Sequence, residues 1–267
     1  MSAGIDYKEL YEFDLTGKFF EFIITHIYQN ILEKGDVAID GGANHGFHTI
    51  PLAEKVNNSG IVFAFEPIPH LSKNLIKKVK SKNYNNVIVI QKAISNFCGK
   101  SSFCHVQSAS GYSGIKKRQK IPTEHLEQIN FIESVDITTL DIELTSANPK
   151  FCKPVKFIKL DLEGAEYHAL LGAKSILANA RPVIIFEDGG KQSAETYSYN
   201  LSDLDTFFEL HSYRIYDLFG RIFKMYNSSN IQHKPWYTIA VPKDNKHIND
   251  FIKNKLIHDI LELKNSL

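Results

Sequence analysis

Short apolar runs alternate with amphipathic stretches along most of this chain. Five runs are almost continuously apolar, as expected for strands buried on both faces. They are "DVAID", "GIVFAFEP", "NVIVIQKAIS", "VKFIKLDL" and "RPVIIFED". Between several of them, apolar residues recur at helical spacing, for example over residues 46–56 and 165–180. Strands separated by helices predict right-handed crossovers and a mostly parallel sheet with helices on both faces.

The two ends of the chain and one internal segment depart from this alternation. A helix is predicted at about residues 17–32, and an amphipathic helix follows the last apolar run, "WYTIAVP". Between about residues 99 and 154, "SSFCHVQ" and "SVDITTLDIE" predict added strands that flank a polar loop. We therefore divide the chain into an N-terminal helical arm or lid (1–35), a main domain that contains the inserted segment (36–245) and a C-terminal helix (246–267).

The composition fits one large α/β domain. The chain has 267 residues, of which 43% are hydrophobic and 23% charged, enough to bury a sizeable core. A net charge of +1 gives no strong global attraction to nucleic acid or to an anionic membrane. The opening residues do not resemble a signal peptide, and no run approaches the roughly 20 apolar residues that span a bilayer. Cys98, Cys104 and Cys152 form no CxxC pair, so we expect reduced thiols in a cytoplasmic protein and no zinc site.

A glycine-rich loop, "DGGANHG", follows the first predicted strand. Glycines let a ligand approach the main chain closely, and the next helix offers free N–H groups to that ligand. A dinucleotide-binding G-x-G-x-x-G loop fits poorly, because Ala43 takes the place of the middle glycine. The better fit is acid-x-Gly-x-x-x-Gly, with Asp40, Gly42 and Gly46. A generic strand-to-helix turn is the alternative interpretation.

A second acidic residue lies where a ribose would be recognised. Glu66 ends the second predicted strand, twenty residues after Gly46, and a carboxylate there can accept hydrogen bonds from both ribose hydroxyls of an adenosine. The alternative is an acid that caps the next helix. Pro67 makes the following turn stiff, and Ala93 and Ile94 could form an apolar floor for adenine after the third strand.

Five motifs in this order resemble the FkbM-type family of S-adenosylmethionine-dependent methyltransferases. They are "AIDGGANHGFHT", "FAFEP", "KAIS", "TTLD" and "FIKLDLEGAEYHALLGA", and they cover about residues 36–187. The resemblance implies the class I methyltransferase (Rossmann-like) fold: an α/β domain with a seven-stranded, mostly parallel sheet, helices on both faces and an antiparallel last strand. It also implies O-methylation, often of sugar hydroxyls in glycans, glycolipids or glycosylated natural products, with S-adenosylhomocysteine as the second product. The acceptor itself stays open.

Within this frame, ten residues are predicted to bind the cofactor: Asp40, Gly41, Gly42, Asn44, Gly46, Glu66, Pro67, Ala93, Ile94 and Asp161. The acid of the glycine loop suits the cationic aminoacyl end of S-adenosylmethionine, where a pyrophosphate would be repelled.

Methyl transfer to a hydroxyl needs a positioned oxygen and benefits from a base. Asp161, at the end of the fourth predicted strand, is the first candidate for this base, and we expect burial to raise its pKa. A purely structural role for this carboxylate is the alternative. Glu187 ends the fifth strand and would lie beside Asp161, and His45 in the glycine loop is a further candidate. Lys159 would hold Asp161 ionised if the two side chains were close.

The acceptor site is predicted around the inserted loop. "SASGYSGIKKRQK", residues 108–120, could close over the acceptor with Ser110, Tyr112 and Ser113, and Glu163 could contact the acceptor or the amino group of the cofactor. A divalent cation bound by Asp161, Glu187 and Asp188 is the alternative, but too few oxygen ligands can be placed, and no metal is predicted.

Three other functions remain open at this stage. A nicotinamide-dependent oxidoreductase is disfavoured by Ala43. A nucleic-acid ribose 2′-O-methyltransferase could reuse Asp161 and Glu187, but the near-neutral charge argues against a nucleic-acid partner. A noncatalytic binding module would not require Asp40, Glu66 and Asp161 together. The expected partner is a small-molecule or glycan acceptor, and the last helix could mediate a homodimer.

Overall fold

The computed structural model describes residues 5–14, 18–117, 121–146 and 153–267. Its ten strands are β1 (Val37–Gly41), β2 (Ile61–Phe65), β3 (Val87–Ile90), β4 (Ala93–Ile94), β5 (Gly99–Val106), β6 (Ile129–Thr138), β7 (Val155–Leu160), β8 (Val183–Glu187), β9 (Tyr213–Asp217) and β10 (Tyr237–Pro242). The described α-helices are α1 (Tyr7–Phe13), α2 (Lys18–Ile31), α3 (Thr49–Val56), α4 (Pro69–Ser81), α5 (Leu140–Ser146), α6 (Glu166–Leu171), α7 (Lys174–Asn179), α8 (Gly190–Tyr197), α9 (Leu201–Leu210), α10 (Lys246–Asp250) and α11 (Leu256–Ser266). A π-helical turn, Phe251–Lys255, joins α10 to α11.

Seven of the described strands form one sheet in the order β3-β2-β1-β7-β8-β10-β9. Neighbours are parallel from β3 to β8, whereas β10 runs antiparallel to both β8 and β9. This confirms the predicted α/β fold with an antiparallel last strand. The chain moves outward in one direction from β1 and in the other from β7, so a crevice opens at the carboxyl ends of these two strands.

Each face of the sheet carries its own hydrophobic core. On one face, α2, α3 and the C-terminal helices pack together, with Phe20, Ile24 and Ile27 of α2 fully buried. On the other face, α6, α7 and α9 pack against Ile158 of β7 and Ile184 of β8. Helices therefore cover both faces, as the sequence pattern predicts. The amphipathic pattern of α2 thus makes the N-terminal segment part of a core.

Two predicted elements are each divided in the structure. The third apolar run forms β3 and then turns, with the Lys92 N–H donating to the Ile90 carbonyl, so that β4 joins a second sheet of order β4-β6-β5. The first predicted strand of the inserted segment is confirmed as β5. The second is confirmed only in its first half, because β6 ends at Thr138 and residues 140–143 begin α5. The helix predicted over residues 165–180 is two helices, α6 and α7, and the Asp141 carboxylate accepts from the Ser175 and Ile176 N–H groups in the first turn of α7.

Three further sequence predictions concern location and chemistry. Within the described ranges, no helix is both long enough and apolar enough to cross a bilayer. Cys98 is exposed and Cys104 buried, and both are free thiols. Cys152, and residues 118–120 of the predicted acceptor loop, lie outside the described residues.

Candidate active site

A cleft of about 510 Å³ opens at the carboxyl ends of β1, β2 and β7. It brings together twelve of the residues singled out from the sequence: Asp40, Gly42, Asn44, His45, Glu66, Pro67, Ala93, Ile94, Ser110, Ser113, Asp161 and Glu163. Its lining does not include Gly41, Gly46, Tyr112 or Glu187, among the residues that the structure describes. The strand order thus places sequence-distant motifs around one space.

The glycine-rich loop is fixed to the neighbouring strand by its backbone. The N–H groups of Gly42 and Ala43 both donate to the Phe65 carbonyl at the end of β2. Asp40 is buried at the start of the loop, where its Oδ2 accepts from the Thr49 hydroxyl at 2.5 Å. Its Oδ1 has no hydrogen-bond partner in the described part of the chain and lies 4.0 Å from Lys159 Nζ. One buried carboxylate oxygen is therefore left to accept a further donor.

Gly42 cannot carry a side chain without disturbing this loop. Its φ is +74°, and a Cβ atom there would lie 1.9 Å from the Asp161 carbonyl oxygen. We expect Gly42→Ala to destabilise the protein by roughly 1–3 kcal/mol, measured by denaturant unfolding. The matched control is Gly190→Ala, because Gly190 has a φ of +60° with no atom within 4 Å of its would-be Cβ. Equal losses in the two variants would show that the close approach to Asp161 does not matter.

Glu66 ties the end of β2 to the glycine-rich loop. Its Oε2 accepts from the Asn44 N–H and its Oε1 from the Ile68 N–H, both at 2.8 Å. The side chain is buried yet lines the cleft. Burial raises the pKa of Glu66 to about 7, although the two N–H groups favour the carboxylate. This acid is therefore poised to change charge near neutral pH when a ligand adds hydrogen bonds.

Asp161 lies against a buried lysine and a buried tyrosine. Its Oδ2 accepts from Lys159 Nζ at 3.2 Å and from the Tyr237 hydroxyl at 2.9 Å. Burial works to raise the pKa of Asp161, but Lys159 and the Tyr237 hydroxyl outweigh it, so the pKa is lowered. The expectation of a raised pKa is therefore wrong, because it considered burial without the neighbouring cation. The conditional prediction that a nearby Lys159 would hold Asp161 ionised is confirmed.

Glu187 lies beside Asp161 through the strand order. Glu187 of β8 is the backbone partner of Tyr237 in the neighbouring strand β10. Carboxylate oxygens of Asp161, Glu163 and Glu187 lie within 4.8 Å of one another. Acidic clusters of this kind are common without a metal. The charge on Asp161 is already balanced by Lys159, and Asp188 bonds instead to Lys234 Nζ at 2.8 Å. We therefore assign no cation to this cluster.

The inserted segment covers one side of the cleft through its short 3-10 turn, Ser110–Tyr112. Ser110 Oγ accepts from Asn44 Nδ2 at 2.9 Å, which joins the turn to the glycine-rich loop. Ser113 Oγ accepts from the Val106 N–H at 3.0 Å, and the Tyr112 ring lies 6.0 Å from the His125 ring. The two serines thus face the cleft, while Tyr112 packs beside it.

The N-terminal helix forms a wall of the cleft that sequence reasoning missed. Lys18 and Glu21 of α2 line it, and Glu21 contacts His48 Nε2 at 2.5 Å and the Tyr237 hydroxyl at 3.0 Å. Phe47 also lines the cleft and is 52% exposed. The sequence does contain a signal for the ion pair between Lys159 and Asp161. Lys159 is a charged residue in a mostly apolar strand, and Asp161 follows two residues later on the same face.

A sequence model of the Methyltransferase FkbM domain matches residues 40–215 of this chain. Over 59 residues the chain is 36% identical to protein-L-isoaspartate O-methyltransferase of Ignicoccus hospitalis, a match that covers 22% of this chain and 28% of that enzyme. The chain thus spans under a third of the length of this relative.

Comparison with solved structures gives matches of low sequence identity, with TM-scores below 0.5. Methyltransferase FkbM from Methylobacillus flagellatus KT is 13% identical, with a TM-score of 0.49 over 78% of this chain and 44% of that one. The O-methyltransferase TomG from Streptomyces achromogenes, solved in complex with SAM, is 10% identical, with a TM-score of 0.46 over 83% of this chain and 79% of its own. Likenesses at this level carry no information on the acceptor.

Proposed function

This chain belongs to the FkbM family of S-adenosylmethionine-dependent methyltransferases, and from that premise we propose that it methylates a sugar hydroxyl of a glycan, glycolipid or glycosylated natural product. The observation that carries the proposal is the Asp161 carboxylate, which lines the same cleft as Asp40 and Glu66. In this proposal Asp161 would act on the acceptor hydroxyl, while Asp40 and Glu66 would hold the cofactor.

The residues of the cleft fit S-adenosylmethionine. The free Oδ1 of Asp40 would accept from the cationic amino group, and Glu66 would accept from the ribose hydroxyls with lone pairs that its two backbone donors leave available. Ala93 and Ile94 are buried apolar residues in the lining, as an adenine ring requires. When bound, the cofactor would supply an electrophilic methyl group on a positively charged sulfur, and that sulfur would leave as the neutral thioether of S-adenosylhomocysteine.

We expect the affinity for S-adenosylhomocysteine to depend on pH through Glu66. Ribose hydroxyls donate best to the ionised carboxylate, and the pKa of Glu66 in the free protein is about 7. Protons therefore compete with the ligand below that value, and affinity should fall about tenfold from pH 8 to pH 6. Isothermal titration calorimetry at both pH values measures this, and Glu66→Gln should abolish the dependence.

The stability of the free protein should change in the opposite sense. The pKa of Glu66 is raised, so its protonated form stabilises the fold fully below its ordinary pKa of 4.5, and this contribution is lost as pH rises through about 7. An affinity that stays flat in the wild-type protein while its stability follows this course would show that the ligand does not bind Glu66.

Asp161 is the proposed base for the acceptor. It stays ionised because of Lys159, is one-quarter exposed to the cleft, and would take the hydroxyl proton as the new C–O bond forms. We propose that Ser110, Ser113 and Glu163 orient the acceptor. Glu187, at the end of the neighbouring strand β8, would assist Asp161, and His45 lies at the rim of the cleft. The exposed ring of Phe47 supports a sugar acceptor, since its apolar face suits the C–H face of a pyranose.

Transfer of a tritiated methyl group tests the proposed acceptor class. The protein is incubated with labelled S-adenosylmethionine and separate fractions of polysaccharide, glycolipid, sugar nucleotide, RNA and protein, with heat-inactivated protein as control. We expect alkali-stable label in a saccharide-containing fraction, because a methyl ether resists base whereas a methyl ester does not. Label confined to RNA would favour the ribose 2′-O-methyltransferase, and label confined to protein would exclude both.

Two further predictions from the sequence belong with this proposal. We propose a cytoplasmic location, which the free thiols of Cys98 and Cys104 support. We also keep the homodimer and the division at residues 35 and 245 as predictions, testable by light scattering and limited proteolysis.

A further inference from the structure

The Tyr237 hydroxyl lies between two carboxylates that both line the cleft. Its oxygen is 2.9 Å from Asp161 Oδ2 and 3.0 Å from Glu21 Oε1. The phenol hydroxyl has one hydrogen and can donate it to only one of these oxygens at a time. Burial, Asp161 and Glu21 raise the pKa of Tyr237 well above its ordinary value of 10, so the hydroxyl keeps its proton. The second contact therefore becomes a hydrogen bond when one of the two acids is protonated.

The contacts run from Asp161 through Tyr237 to Glu21 and His48, and the surroundings of a proton differ at the two ends. Asp161 has the Lys159 ammonium 3.2 Å away, which disfavours a proton on that carboxylate. Glu21 Oε2 is 2.5 Å from Nε2 of the buried His48, whose Nδ1 has no hydrogen-bond partner among the described residues. The described polar contact of this ring is therefore with Glu21, through Nε2. Lys159 thus favours loss of a proton from Asp161, and the Glu21–His48 pair is the next group along these contacts that can receive it.

We propose that Tyr237, Glu21 and His48 form a proton relay that clears Asp161 after each methyl transfer. The inference rests on the proposed function, in which Asp161 takes the proton of the acceptor hydroxyl. As Asp161 passes that proton to the Tyr237 oxygen, the original Tyr237 hydroxyl proton moves to Glu21 Oε1. Tyr237 ends unchanged, Asp161 is a carboxylate again, and the Glu21–His48 pair holds one added proton.

The position of Glu21 provides an exit for that proton. Its side chain is 25% exposed, whereas that of His48 is 3% exposed, so exchange with water occurs at Glu21. Glu21 lies on α2 and Tyr237 on β10, and both stand outside the matched residues 40–215. The charged and titratable groups that act on the relay are Asp14, Tyr28, Asp40, Lys159, Asp161 and Glu187.

The surroundings of the His48 ring test the hydrogen-bonded path without any acceptor. Ring nitrogen and carbon shifts of histidine are compared by NMR at one fixed pH in the wild-type protein and in variants. We expect Asp161→Asn to move the His48 ring shifts, because the Tyr237 hydroxyl loses a carboxylate acceptor and donates more fully to Glu21, the partner of His48 Nε2. The same substitution in a Tyr237→Phe background should have little effect, because the hydrogen-bonded path is cut. Equal shifts with and without the tyrosine hydroxyl would reduce the coupling to a through-space field and overturn the relay.

A second test of the relay measures kinetics with the acceptor fraction that becomes labelled in the tritium-transfer experiment. In Glu21→Gln the amide can still hydrogen-bond to Tyr237 and His48 but cannot take a proton, so this variant keeps the geometry. We expect its kcat to fall about tenfold or more and the acidic limb of its pH–rate profile to move, with S-adenosylhomocysteine affinity within about twofold of wild type. The matched control is Glu33→Gln, an exposed acid beyond the end of the same helix.

The outcomes separate the two proposals. Failure of the wild-type protein to bind S-adenosylhomocysteine or to transfer methyl groups would overturn the proposed function itself. Normal wild-type transfer together with wild-type kcat and pH profile in Glu21→Gln would overturn the relay alone. Circular dichroism and thermal unfolding confirm that each variant is folded, and Glu21→Gln decides the question should Tyr237→Phe not fold.

Discussion

Glu66→Ala is expected to weaken S-adenosylhomocysteine binding about 100-fold or more. The substitution removes the acceptor of the ribose hydroxyls, and hydrogen bonds to a charged group contribute roughly 1.5–3 kcal/mol each. It also leaves the Asn44 and Ile68 N–H groups without their partner, so the glycine-rich loop loses its link to the end of β2. Isothermal titration calorimetry at pH 8, where the wild-type carboxylate is ionised, measures the loss.

The control for this variant is Glu54→Ala, which removes an exposed acid of α3 away from the cleft. It should bind S-adenosylhomocysteine as the wild-type protein does. Wild-type affinity in Glu66→Ala would show that the adenosine lies elsewhere, and the proposed placement of the cofactor would have to be abandoned.

Asp161→Asn is expected to lower kcat by roughly 10²–10⁴-fold while leaving S-adenosylhomocysteine affinity within a few-fold of wild type. The amide keeps the size of the side chain but cannot accept the hydroxyl proton. Lys159 also loses its closest carboxylate and is left 4.0 Å from Asp40. Initial rates of tritium transfer, combined with calorimetry, separate the effect on turnover from the effect on binding.

Asp188→Asn is a close control for the loss of a buried ion pair. Asp188 bonds to Lys234 at 2.8 Å at the same edge of the sheet, but it does not line the cleft. Removing one partner of such a pair costs up to roughly 3–5 kcal/mol in both variants, so unfolding should report similar losses. Only Asp161→Asn should lose turnover. A comparable loss of turnover in Asp188→Asn would assign the effect to destabilisation, and normal turnover in Asp161→Asn would remove it as the base.

The sequence pattern predicts the sheet well. Its strands are buried on both faces and are therefore nearly continuous apolar runs, which helices and glycine-containing turns separate. The position of Glu66 after β2 and of Asp161 after β7 follows from the rule that parallel strands present their carboxyl ends at one edge. The division of the third apolar run into β3 and β4 could not be predicted, because it depends on β6, whose residues that pair with β4 lie 44 positions later in the chain.

The hydrogen-bond network around Asp161 could not be predicted from the sequence, for a different reason. Glu21 and Tyr237 are separated by 216 residues, and their contact arises because α2 packs across the face of the sheet near β10. Hydrophobic periodicity identifies α2 as a helix but does not say which strand it crosses. The pKa of Asp161 is lowered and not raised, because the Lys159 ammonium lies 3.2 Å from it, a distance that a shared strand face does not reveal.

The place of β10 in the sheet also bears on how the protein is made. Although it is the last described strand to be synthesised, it fills the slot between β8 and β9. Until it leaves the ribosome, the nascent chain carries two open strand edges, which are prone to pair with other chains. Completion of this half of the sheet must therefore wait until β10 has left the ribosome.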